Sequence, residues 1–180
     1  PDGGLYYAMN KGTDLASGDF MYFLNSGDEF ILTNNLNGVF PLMLGKVHNF
    51  QVIESDDSFS FPYLRFSPYL LRMPCHQGML VPRLVSGQLL KYDTSLKINA
   101  DLDYKLHLHR KVDFEFYPIT LARLEKWGVS QQYSSFRSPF IIASREANLG
   151  YRHFGVLNYF VTYLLRLFWH TIKYIKTLFF

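Results

Sequence analysis

The sequence holds a single cysteine, Cys75, among 180 residues. That rules out an internal disulfide framework and a thiolate zinc site, and it suits a reducing compartment. Charge of one sign is scarce as well: 18 Lys and Arg against 15 Asp and Glu leave a net charge of +3. With no basic run interleaved with aromatics before the C-terminus, nucleic acid is not the expected partner. No charged-then-apolar leader stands in the residues given, so they carry no sign of secretion and the protein reads as facing the cytoplasm. Repeats and low-complexity stretches are absent, and no run of about 20 apolar residues passes without a charge.

Apolar residues, by contrast, make up 48% of the chain and aromatics 18%. Such a chain is not disordered, and its length suffices for one domain with a core plus an appendage. The aromatic surplus has two explanations, a large core or a surface that meets lipid.

Residues 5 to 17, LYYAMNKGTDLAS, space their apolar positions helically and end before Gly18, a suitable C-cap. FMYFL at 20 to 24 is a continuous apolar run and predicts a strand buried on both faces, with NSGDEF as the loop at its carboxyl end. Residues 39 to 54 are β-rich, SDDS at 55 to 58 is a polar turn, and 74 to 83 enter a short apolar strand. SGQLLKY suits one or two helical turns. SLKINADLDYKLHLHR, 95 to 110, places Leu102, Leu106 and His109 on one helical face, with Ser95 or Asn99 as cap. His107 and His109, two apart on that helix, point away from each other and make a poor metal pair. KVDFEFYPITLARLEK alternates like an edge strand and predicts a strand pair.

Three loops carry carboxylates: Asp2 before two glycines, Asp28 after the apolar strand, and Asp101 with Asp103 at a helix start. Carboxylates at strand ends suit a hard cation that also takes phosphate oxygens, and a further one can serve as a general base. Each taken singly also suits a turn or a helix cap.

In combination these segments are more specific. PDGGLYYAMNKGTDLASGDFMYFLNSGDEF resembles the middle of the GT-A domain of family 2 glycosyltransferases, CHQGML at 75 to 80 resembles that family's C/F-H-Q block, and KYDTSLKINADLDYKLHLHR is similar to the block bearing its catalytic carboxylate. The resemblance covers residues 1 to 130 and is nearest in pattern to transferases of colanic-acid or lipopolysaccharide assembly. It implies an α/β fold, the later part of a Rossmann-like GT-A sheet with flanking helices, whose nucleotide-binding first half lies outside this chain.

The resemblance also implies roles. Asp2, Asn10, Lys11, Asn25 and Gly27 would line the nucleotide-sugar pocket, and Lys11 would neutralise phosphate charge. Asp28 would hold Mn²⁺ or Mg²⁺, although the family's D-x-D-D is replaced here by Asn25-Ser26-Gly27-Asp28. His76 and Gln77 would approach the sugar or acceptor, or else fix a loop by hydrogen bonds. Asp101, preceded by Ala100 where the family has Glu, would be the base, with Asp103 orienting the helix or the acceptor. The implied activity is an inverting hexosyl transfer from a nucleotide-diphosphate sugar to a hydroxyl of a lipid-linked glycan. Because the Q-x-x-R-W block of processive members is missing, single-sugar addition is implied. The alternatives are a non-catalytic remnant that binds a membrane or partner and, ranked lower, a metal-dependent phosphohydrolase on the same Asp loops.

After a linker or helical extension at 131 to 150, residues 151 to 180 form a basic amphipathic helix. Leu157, Phe160, Val161, Leu164, Leu165, Phe168, Ile172, Ile175 and Phe179 make one stripe, and Asn158, Thr162, Arg166, His170, Lys173 and Lys176 or Thr177 make the other. Charges at helical spacing argue against spanning; a helix lying on the cytoplasmic face of an anionic membrane, or packed on protein, is expected.

Overall fold

The computed structural model describes residues 3–31, 42–54, 67, 73–96, 98–125 and 139–179. It divides into two units, one made of Pro1–Phe66 with Met73–Lys126 and the other of Ser67–Arg72 with Trp127–Phe180. Asp2 and the expected turn at 55 to 58 lie outside the described residues.

The first unit is mixed α/β. Its helices are α1 (Leu5–Leu15) and α2 (Ala100–His109), and its strands are β1 (Phe20–Tyr22), β2 (Glu29–Phe30), β3 (Lys46–Glu54), β4 (Met79–Pro82), β5 (Leu84–Val85), β6 (Gln88–Leu89) and β7 (Asp113–Leu124). Five strands form a mixed sheet in the order β1-β4-β3-β7-β2, in which only β3 and β7 run parallel.

Helices α1 and α2 cover one face. Met9 of α1 and Ala100, Tyr104 and Leu108 of α2 pack with Val47 of β3 and Met79 and Val81 of β4 into one apolar cluster. On the opposite face Phe50, Leu80 and Leu121 gather Phe20, Tyr22 and Tyr117. Burial of these side chains, at about 1.5–3 kcal/mol each for large ones, is the main force holding helices to sheet.

Several expectations need correction. The apolar run at 20 to 24 forms an edge strand of three residues, not a central one: Met21 is buried, Phe20 and Tyr22 are half-buried, and Leu24 is exposed. Aromatic residues tolerate that position because their rings cover the sheet while a polar tip finds a partner; the Tyr22 hydroxyl donates to the Gln77 carbonyl at 2.8 Å. Helix α1 ends at Ala16, which turns to extended backbone, before Gly18 is reached. SGQLL is a β5–β6 hairpin, since Ser86 and Gly87 both take positive φ (53° and 77°), the geometry of the tightest hairpin turns. KVDFEFYPITLARLEK yields one long strand, β7. Its register against β3 jumps around Pro118, where Phe50 faces Tyr117 but Gln51 faces Thr120, because proline has no N–H to give the ladder.

Asn99 does sit at the N-cap of α2, but in the left-handed region (φ 67°) and without a side-chain cap bond; Ser95 instead donates to Asp93. The acids Asp101 and Asp103 in the first turn complement the helix dipole.

The second unit is a helical hairpin, α3 (Pro139–Phe154) and α4 (Val156–Phe179), broken at Gly155 with φ 86°. The helix expected from Tyr151 onward is thus divided. Among the described residues no helix is long and apolar enough to cross a membrane.

Candidate functional site

Three remote segments converge in the first unit: the loop 25–28 after β1, the turn 75–78 before β4, and the start of α2. The turn is seated by Gly78, whose missing side chain lets the backbone approach β3; a Cβ there would stand 2.5 Å from the Phe50 carbonyl oxygen. That seat fixes the two residues before it. The Asn25 amide nitrogen lies 3.2 Å from His76 Nε2, and the Gln77 amide donates to Asp28 Oδ2 at 2.9 Å. The other Asp28 oxygen accepts the Glu125 backbone N–H at 3.0 Å. Cys75 donates its thiol to Gln77 Oε1 at 2.8 Å.

Lys105 joins the third segment. Its ammonium, on a buried side chain, donates to the Pro74 carbonyl and to Asp101 Oδ2, each at 3.2 Å. Asp101 and Lys105 are one helical turn apart, so the pair is an i,i+4 bridge within α2. The Asp101 side chain keeps 31% of its surface exposed.

Charges in the cluster act on one another. Burial raises the Asp101 carboxyl, but the Lys105 ammonium, then His76 and the hydrogen bond from Lys105, outweigh it and leave the group below its ordinary value. Asp101 is therefore ionised at neutral pH. Burial and then the Lys105 charge push His76 down to about 4 against the partial opposition of Asp101 and Asp28, so its imidazole is neutral. With Asn25 donating to Nε2, the ring proton sits on Nδ1. Burial holds the Cys75 thiol up despite Lys105, so it is not a thiolate nucleophile. Tyr6 of α1 is pushed up to about 12, first by burial and then by the neighbouring Asp101 charge, and Tyr22 is raised by burial and by Asp28.

Of the site residues expected from sequence, Asn25, Gly27, Asp28, His76, Gln77 and Asp101 thus belong to one region. Gly27 has positive φ (93°), and the Glu125 carboxylate lies where its side chain would be. Asn10 is turned elsewhere: its amide donates to the Tyr92 carbonyl at 2.9 Å and accepts the Tyr92 N–H at 2.8 Å, pinning α1 to the loop before α2. Lys11 is exposed on α1. Asp103, about 200° around α2 from Asp101, is buried and pairs with His107 (3.5 Å).

Sequence reasoning missed Lys105, Glu125, Tyr6 and Tyr22. Lys105 had a signal, its place four residues after Asp101. Glu125 had none, because only the parallel pairing of β7 with β3 and its antiparallel pairing with β2 bring it to Asp28.

For a divalent ion, this region offers the Asp28 carboxylate. Both of its oxygens already accept one hydrogen bond, yet each keeps a lone pair, and Mg²⁺ is commonly held by one or two carboxylates plus substrate phosphates. That donor chemistry fits an ion brought with a diphosphate.

No protein-family model matches the chain, and no curated protein or solved structure matches it either.

Proposed function

We propose that this protein is an inverting glycosyltransferase that moves a sugar from a nucleotide-diphosphate donor to a hydroxyl of a lipid-linked glycan, at the cytoplasmic face of the membrane, in surface polysaccharide assembly. The observation that carries the reading is the convergence of Asn25–Asp28, Cys75–Gln77 and Asp101–Lys105, the three blocks on which the family resemblance rests, in one hydrogen-bonded region.

Asp101 takes the acceptor's hydroxyl proton while that oxygen forms a bond to the anomeric carbon from the face opposite the diphosphate. The anomeric carbon–oxygen bond to the diphosphate breaks with its electron pair, and configuration inverts. Lys105 keeps Asp101 ionised at the cost of basicity, so proton transfer belongs late, after the acceptor oxygen has begun to bond. Neutral His76 can donate from Nδ1 without adding charge. Asp28 would hold Mn²⁺ or Mg²⁺, and the ion, when bound, supplies charge neutralisation for the leaving diphosphate.

The second reading, a non-catalytic binding module, is favoured by one feature: Gln77 spends both ends of its side chain, on Cys75 and Asp28, inside the cluster. Calorimetric titration with UDP- and GDP-sugars in the presence of Mn²⁺ separates the two. Saturable binding of one donor supports the transferase; no binding of any nucleotide or sugar nucleotide sinks it.

A further inference from the structure

The hairpin is built with its polar side inward. On α4, Thr162 is 1% exposed, whereas Leu157 is 78%, Leu164 65% and Phe168 68% exposed. The polar stripe is held against α3: Arg166 and His170 both reach the Glu146 carboxylate, at 3.3 and 3.2 Å. Gly150 of α3 leaves the space that Asn158 and Thr162 fill, and Thr162 donates to Asn158 at 3.0 Å. Ala143 and Ala147, both fully buried, continue the small-residue line of Gly150 at helical spacing. Small residues and paired polar groups between helices, with large apolar groups outside, is the arrangement lipid favours over water.

The exposed stripe runs from Leu157 to Phe168 at intervals of three and four residues, so it forms a ridge along this part of α4 rather than a single exposed spot. Charge then decides what can cover it. Residues 139–179 hold five Lys and Arg and one acid, Glu146, in a chain whose net charge is only +3. The sole acid is the one turned inward. A second copy would set two positive hairpins face to face, whereas an anionic surface is opposite in sign to the hairpin's excess of Lys and Arg. Trp169, also exposed, supplies the amphipathic ring suited to the headgroup boundary.

We propose that the α3–α4 hairpin docks in the plane of an anionic lipid bilayer with the ridge Leu157, Phe160, Leu164 and Phe168 immersed, while the Glu146–Arg166–His170 cluster stays inside the hairpin. The inference deepens the membrane part of the reading above, and it stands on the second unit alone. It differs from an ordinary amphipathic helix, whose polar face would be turned to solvent.

The test is co-flotation of the whole protein with phosphatidylcholine vesicles prepared with and without phosphatidylglycerol, alongside Leu164→Glu/Phe168→Glu. Both positions are exposed, so circular dichroism should show the variant's helices intact. Wild type should float with the anionic vesicles and much less with the neutral ones, and the variant's bound fraction should fall at least about tenfold. In a Trp127→Phe background, Trp169 emission should shift to the blue only with anionic vesicles. Equal flotation of variant and wild type, no wild-type binding to either vesicle, or a stable dimer that the same variant dissociates would each overturn the proposal. Donor binding measured on the same preparations tests the transferase reading separately: its loss with flotation retained sinks that reading and leaves this one standing.

Discussion

The Gln77 side-chain amide donates to Asp28 Oδ2 at 2.9 Å, across 49 residues of sequence. This contact ties the loop after an edge strand to the turn that leads into β4. Removing the acceptor strands the buried Gln77 amide, whereas the exposed Glu125 N–H can turn to water.

Asp28→Ala should therefore cost about 1–3 kcal/mol of stability, the penalty of one unsatisfied buried donor. Urea denaturation checks it. The same variant should lose any metal-dependent part of donor affinity, which calorimetry with and without Mn²⁺ reads.

His76 predicts a pH signature. Its folded value of about 4 lies below the ordinary 6.5, so between those values the unfolded chain holds a proton on this ring that the native one does not. Stability must then rise with pH through that window and level off above it. Thermal unfolding from pH 4 to 7 should show a shallower slope for His76→Gln than for wild type; identical slopes would mean that the ring titrates normally.

Much of the fold was legible as pattern, for physical reasons that also mark where legibility stopped. Helical spacing placed α1 and α2, and the run before Pro82 placed β4. Strand order was not legible: FMYFL reads as central because it is apolar throughout, while at the edge the Tyr22 hydroxyl finds a polar partner and the rings of Phe20 and Tyr22 cover the sheet. The hairpin at Ser86 and Gly87 was hidden by leucines that suit a helix equally well. In the candidate site, Asp28 and Asp101 stood out as carboxylates at a strand end and a helix start and the resemblance added His76, whereas Asn10 serves Tyr92 and Glu125 arrives through strand pairing alone. The two stripes of α4 were readable; which one turns inward was not, because amphipathicity fixes two faces and only Glu146 and Gly150 on α3 decide between them.

Gly78→Ala places a methyl group against the Phe50 carbonyl, which belongs to backbone and cannot swing aside. A loss of about 1–3 kcal/mol is expected, the usual cost of overpacking. Because the turn carries His76 and Gln77, donor affinity should fall along with the melting temperature.

Lys105→Met removes the cation that keeps the Asp101 carboxyl below its ordinary value. The burial that remains then pushes Asp101 upward. The acidic limb of the pH–rate profile should move to higher pH relative to wild type, and an unmoved limb would assign that limb to another group.

The central claim is that Asp101 accepts the proton of the attacking hydroxyl. The most direct measurement is the rate of sugar transfer from each of a panel of UDP- and GDP-sugars, with Mn²⁺ or Mg²⁺, by the protein expressed from its whole reading frame, compared with Asp101→Asn. The account predicts turnover of one donor by wild type and a loss of at least about 100-fold in the variant, with donor binding and fold retained; turnover by the variant at the wild-type rate would contradict it.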